Sequence, residues 1–341
     1  MYVKTAVYES IEQLFQTLRS RFGYAYVLSF INVMHRTFDV SLPADRANQL
    51  IAQLHPIPEV VGIALQRDGS LKPAGDLLTL SVLNRGADDV LRRIAATCAG
   101  TDYSVATAEQ ASLIDPKQDS IIETDYDEAI WEEMETGLRH NGHITNNYLV
   151  LMGVGGVVAA VGLVSDPAPQ AIAFVAAAVI APGFDPLAKI ALGICLRKWE
   201  VFWRGVRSTL AGYSLLMVLA GLAFWIMHQT GGTSLEGFTA NSEVKNLVKP
   251  TTRELLMSLG GALAGGVMVA SYRESFIAGA LMALAFIHAA AMVGVGIASA
   301  QWQYALQGFE RFALDTALIV GGCWLVFALK QAFVHKRKPI V

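Results

Sequence analysis

The chain of 341 residues is 53% hydrophobic and only 16% charged, with a mean hydropathy of +0.42, well below the roughly 25% charge of soluble globular domains. Residues 1–140 carry 12 Lys and Arg against 20 Asp and Glu, a net −8, whereas residues 141–341 carry 14 against 9, a net +5. The acidic first part argues against a nucleic-acid partner, because neutralising phosphates needs a basic surface. The apolar remainder excludes an ordinary soluble domain.

Residues 1–36 form an N-terminal extension in which 3–7 read as a strand, 11–19 as a helix and 24–34 as an apolar stretch. Residues 1–10 lack a basic segment followed by a long apolar core, so the first apolar helix is expected to serve as the insertion signal. Residues 37–115 read as a soluble α/β domain. The alternating strand TFDVSL leads through Pro43 into the amphipathic run ADRANQLIAQLH, as a proline at a helix start should. A strand at 59–66, a turn at Asp68-Gly69, a strand at 76–83, a helix at 87–99 closed by Gly100 and a strand at 103–108 complete the order. The sequence βαββαβ is that of a ferredoxin-like sandwich, which by itself names no function.

Residues 116–147 read as an acidic connecting helix. Glu123, Asp125, Asp127, Glu128, Glu132, Glu133 and Glu135 crowd a segment anchored by Ile130 and Trp131. It is either a solvated connector or a coupling element that attracts cations at a cytoplasmic mouth.

Residues 148–335 hold six apolar segments, at about 148–164, 170–196, 206–228, 255–272, 276–300 and 312–333, each measured against the roughly 20 residues that span hydrocarbon. Trp199, Trp203, Trp225, Tyr272, Trp302 and Tyr304 fall at their ends, where interfacial aromatics belong. With the N-terminus inside, ten Lys and Arg, from Arg139 to Lys338, flank the inner ends against four on the outer loops, Lys245, Lys249, Arg253 and Arg311. That bias places both termini, and the basic tail 336–341, in the cytoplasm. Gly153, Gly155, Gly156 and Gly162, with the Gly261-xxx-Gly265 spacing, provide small faces for close helix packing in lipid. Cys98, Cys195 and Cys323 show no ligand spacing and read as packing residues, so no metal or other cofactor is expected.

The second segment contains Pro182, Gly183, Asp185 and Pro186. Two prolines four residues apart break a helix, and a break within lipid requires its freed backbone groups to be served by protein or water. Such broken helices form ion and solute sites in transporters. Asp185 lies inside the break, where an ionisable side chain is a functional candidate. Lys189 follows it by one helical turn, so the pair is either a structural ion pair or part of a substrate pathway. His288, midway along the fifth segment among Phe286, Ile287 and Ala289, is either a neutral packing residue or a proton-relay or ion-pathway residue. Asp315 follows Arg311 by four residues, which reads as an interfacial ion pair near the outer end of the sixth segment. Segments one to three and four to six pair as the two halves of a 3+3 inverted repeat.

The chain resembles a bacterial and archaeal membrane family catalogued as domain of unknown function 389. The resemblance covers about residues 37–335. It is strongest from Trp131-Glu132-Glu133 through Asn147-Tyr148-Leu149-Val150-Leu151-Met152, Ala160-Val161-Gly162-Leu163 and Val179-Ile180-Ala181-Pro182 to Pro186. The family pattern around the break resembles GAMLIAPLMGPI. Here AAAVIAPGFDPL keeps Ala181, Pro182 and Pro186 and carries Asp185 in place of a glycine, while His288 and Ala289 stand where a double proline is common. The resemblance implies no established activity.

The expectation is an α-helical integral membrane protein of a bacterial cytoplasmic membrane with a ferredoxin-like cytoplasmic domain. Its partners would be the lipid bilayer, further copies of itself and a small solute or ion that it carries as a transporter or channel. The alternative is a non-transporting scaffold or sensor. No P-loop, HExxH or nucleophile elbow points to an enzyme.

Overall fold

The computed structural model describes residues 35–110, 112–126, 128–271, 276–335, 337, 339 and 340, and the side chains of all of these except 141 and 276–285. The readings of segments 3–7, 11–19 and 24–34 therefore lie outside the described residues. The chain divides into two compact units, Met1–Asp127 and Glu128–Val341.

The first unit runs β1 (His35–Leu42), α1 (Ala44–Leu54), β2 (Val60–Leu71), β3 (Ala74–Val82), α2 (Ala87–Thr97), β4 (Ser104–Gln110) and α3 (Asp119–Glu123). All pairings of the four-stranded sheet are antiparallel, in the order β2-β3-β1-β4. Strand alternation places Phe38, Val40 and Leu42 in the core with Leu78, Leu80 and Val82 on the neighbouring strand. The helical stripes Ala47, Leu50, Leu54 and Val90, Leu91, Ile94 are buried as well, the spacing that a helix needs to present one apolar face.

The hairpin differs from its sequence reading. Asp68-Gly69 is an irregularity within β2, where the register shifts between Gln66 and Ser70, and the chain turns beyond Leu71. Asp68 adopts φ 54°, and its amide donates to Asp76 Oδ1 at 3.0 Å while Arg67 Nη1 donates to Oδ2 at 2.6 Å. A turn-type dipeptide becomes a bulge because a buried carboxylate on β3 serves the backbone group that the bulge leaves over. Those two donors, the Asp68 amide foremost, hold the Asp76 carboxyl below its ordinary range.

The second unit is helical: α4 (Trp131–Asn141), α5 (Asn146–Leu163), α6 (Pro167–Ile180), α7 (Phe184–Leu196), α8 (Trp199–Gln229), α9 (Leu235–Ala240), α10 (Ser242–Val248), α11 (Thr252–Ala270), α12 (Phe276–Ala298) and α13 (Trp302–Phe333). Among the described residues, α5, α8, α11 and α13 are long and apolar enough to cross a membrane, and the α6–α7 pair, bent by 49°, makes a fifth if taken as one span. The helix α12 coincides with the fifth apolar segment and runs unbroken through His288 and Ala289. Close crossings hold the bundle. A Cβ on Gly156 of α5 would stand 2.4 Å from the Leu216 carbonyl of α8, and one on Gly294 of α12 would stand 1.9 Å from the Met217 carbonyl. Only glycine permits backbones to meet at that distance.

Candidate functional site

The break between α6 and α7 follows from proline chemistry. Pro182 has no N–H for the Ala178 carbonyl, and Pro186, in the first turn of α7, has none for the Pro182 carbonyl. Ala181 turns to φ −85°, ψ 117°, and the Gly183 amide closes on the Ala181 carbonyl at 2.8 Å. Residues 181–186 are not a surface turn: Ala181, Gly183, Phe184 and Pro186 are buried, and Pro182 and Asp185 are partly so. A Cβ on Gly183 would stand 2.2 Å from the Tyr213 hydroxyl and 3.2 Å from the Phe286 ring, so this position admits only glycine without rearrangement.

The break lies midway along the α6–α7 pair: its Ala181 end faces the middle of α5, where a Cβ on Gly155 would stand 2.6 Å from the Ala181 Cβ, and its Pro186 end reaches toward the starts of α5 and α8. A Cβ on Gly142, just before α5, would meet the Pro186 nitrogen at 3.2 Å, and one on Gly205, near the start of α8, would meet the Pro186 carbonyl at 2.9 Å.

Lys189 makes no hydrogen bond or ion-pair contact with Asp185, though the two charges act on each other. Its Nζ donates to the Gly142 carbonyl at 3.0 Å, which satisfies an end group of α4 and uses one of the ammonium's three donors. Tyr148 of α5 donates its hydroxyl to the Ser208 carbonyl at 2.9 Å. Asp185 makes no hydrogen bond and no contact ion pair among the described residues, although the Lys189 charge acts on it from one turn away, and the buried Tyr213 hydroxyl has no hydrogen-bond partner.

His288 is stacked on Phe174 of α6, with ring centroids 3.6 Å apart at 29°, and its Nε2 is unpartnered. The structure thus gives it to a point nearly two turns of α6 before the break, while Phe286 reaches Gly183. The Arg311–Asp315 pair forms, with Nε 2.7 Å from Oδ2, and it is enclosed by protein: Asp315 is wholly buried and Arg311 is 5% exposed. Arg311 Nη2 also donates to Ser258 Oγ of α11 at 3.4 Å, and Glu254 Oε2 stands 3.9 Å from Nη1. The sequence spacing showed the pair; the facing helix that buries it left no local signal.

Residues 178–320 match the family described as Domain of unknown function (DUF389). The match is narrower than the resemblance over 37–335. The DUF389 segment begins at the end of α6 and takes in the break, Lys189, Tyr213, His288 and the Arg311–Asp315 pair. No curated protein and no solved structure matches the chain.

The acidic connector lies outside the DUF389 segment, and its acids from Glu128 to Glu135 are paired while Glu123 is exposed. Glu128 meets Lys330 and, at 3.2 Å, His335 Nε2. Glu132 receives both Arg337 Nη groups at 2.8 and 2.6 Å and the Ile340 amide at 2.8 Å. Glu135 meets Lys198 at 3.3 Å, and Glu133 accepts from the Ile130 amide at 3.4 Å. Trp131 is fully buried, with His335 at 4.8 Å and Phe327 at 6.5 Å between ring centroids. Burial alone would raise the Glu132 carboxyl; the Arg337 bonds and charge and the Ile340 amide outweigh it and leave the group below its usual 4.5. Sequence reading missed this strip because its cations come from distant segments, Lys198 63 residues from Glu135 and Lys330, His335 and Arg337 more than 200 from their acids.

Among the described residues, no group of three or more His, Cys, Asp and Glu is placed to hold a metal ion. Cys98 and Cys323 are buried and Cys195 is partly so, and all three are free thiols.

Proposed function

We propose that the protein is an integral protein of a bacterial cytoplasmic membrane that carries a small solute or ion, as a transporter or channel, through a path that includes the α6–α7 break. Asp185 carries this reading: it is a partly buried acid without a hydrogen bond at an interrupted apolar helix, where a carboxylate and freed backbone groups call for protein, water or substrate to serve them. Apolar side chains on the outer faces support the membrane setting; Met257 of α11 is 76% exposed and Val218 of α8 is 65% exposed, and such faces fit hydrocarbon rather than water. Trp199 and Trp203 at one end of α8 and Trp225 at the other are exposed, as interfacial anchors are.

In this reading α5, α6–α7, α8, α11, α12 and α13 make six crossings, with α5 to α8 and α11 to α13 as inverted halves. Only the first half keeps its break. Both termini are cytoplasmic, by the distribution of Lys and Arg. The N-terminal unit is ferredoxin-like, which its βαββαβ order and antiparallel β2-β3-β1-β4 sheet support. It senses a ligand or sets the assembly of a homo-oligomer.

Purified full-length protein in liposomes tests the proposal. Flux is expected from the native chain and is lost in Asp185→Asn; a flux unchanged by that substitution removes Asp185 from the mechanism. A scaffold or sensor role draws support from the tight Gly156 and Gly294 crossings, and it predicts no flux for any solute.

A further inference from the structure

The homo-oligomer of the proposed function, on which this inference rests, needs a contact between copies, and the N-terminal unit offers one. We propose that two copies of this chain join edge to edge through β4, so that their four-stranded sheets become one continuous sheet.

The two ends of the sheet are built differently. β2 is guarded: its register on β3 shifts between Val60 and Gly62 and again between Gln66 and Ser70. The second irregularity carries Arg67 and Asp68, both exposed. Bulges and charges of this kind keep a further strand from pairing. β4 has none of these guards. Its register on β1 runs unshifted from Ser104 to Gln110, and it holds no Pro, Lys or Arg. Ser104 and every residue from Ala106 to Glu109 are exposed. Among the described residues β4 has a neighbouring strand on one side only. A regular open edge presents N–H and C=O groups that another strand satisfies.

The sequence of β4 suits itself as that strand. In antiparallel pairing about a two-fold axis at Thr107, its middle residue, every position of SVATAEQ finds a partner. Thr107 faces Thr107 of the second copy, Ala106 faces Ala108, Val105 faces Glu109 and Ser104 faces Gln110. Thr–Thr pairs are favourable across strands, and like charges directly opposite are not. Glu109, the one charged residue of β4, stands about 14 Å from its counterpart in this register. A two-stranded hairpin alone is marginal in water, but here each strand already belongs to a sheet, and units tethered in one oligomer meet at high effective concentration. Once β4 is paired, the ends that remain are the two guarded β2 strands.

Full-length protein in detergent and in nanodiscs tests the contact. Under mild oxidation Thr107→Cys should crosslink to a dimer, with the native chain as the blank, because directly opposed residues hold their Cα atoms about 4.5–5.5 Å apart, within disulfide reach. Ser104→Cys, about 20 Å from its counterpart in this register, should not crosslink. By mass photometry the native particle should hold an even number of copies. Thr107→Lys should halve that number, as should Thr107→Glu, and co-expression of the two variants should restore it. Native oligomers that Thr107→Cys does not crosslink and Thr107→Lys does not shrink overturn the β4 contact and leave the homo-oligomer standing. A native monomer overturns both.

Discussion

The acidic strip on α4 and the break between α6 and α7 treat their carboxylates in opposite ways. On α4, Glu132, Glu133 and Glu135 are all met, by Arg337, the Ile130 amide and Lys198. At the break, Asp185 has a lysine one turn away whose charge acts on it but whose hydrogen bond goes to the Gly142 carbonyl instead. Density of charge in a sequence therefore marks where a chain can pair its own groups, whereas an isolated acid can be left without a hydrogen bond. The contrast is one of supply: the tail and Lys198 bring cations to α4, whereas the ammonium nearest the break is hydrogen-bonded to a carbonyl.

The largest expected effect separates the two regions directly. Asp185→Asn should lower liposome flux by about tenfold or more, whereas Glu132→Gln should change it by less than about twofold. A similar loss in both variants would erase the distinction. Next comes Trp131→Ala, which should destabilise the helical unit by roughly 3–5 kcal/mol, as removal of a fully buried aromatic does. Thermal melts in detergent measure it, and limited proteolysis should then cut the C-terminal tail first. Gly183→Ala should cost about 1–3 kcal/mol, because the new methyl displaces a hydroxyl enclosed by Phe286; restoration by Tyr213→Phe would locate the clash.

A smaller effect belongs to the Glu132–Arg337 contact, whose double-mutant coupling should be about 1 kcal/mol after solvent screening. Its pH dependence has a definite sign. The folded Glu132 carboxyl lies below its usual value, so its contribution is full above the unfolded value near 4.5 and is lost as pH falls through the folded one. Hydrogen exchange of residues 334–340 should quicken over that acid range and stay flat above it.

How much the sequence disclosed depended on range. Strand alternation in β1 and β3, the stripes of α1 and α2 and the apolar segments are local patterns, and the elements appear where those patterns place them. The break was legible because two prolines act on their own carbonyls within four residues. Asp68-Gly69 misled because a turn dipeptide and a bulge share the same local chemistry, and only Asp76 across the hairpin decides between them. The partners that define the site were silent: Gly142 for Lys189, Phe174 for His288, Ser258 for Arg311 and the tail for Glu132. Each comes from a distant element, and packing alone chooses it.

The break runs obliquely past α8. Pro186 meets Gly205, the seventh of the 31 residues of α8, whereas Gly183 lies against the hydroxyl of Tyr213, the fifteenth, so at 1.5 Å per residue the two contacts are spread over about 12 Å of a rod roughly 45 Å long. Under the transport proposal, a charged solute entering from the Trp199 side would pass between about a fifth and a half of that length alongside the break, so voltage should act on its entry as well as on the remaining passage toward Gln229.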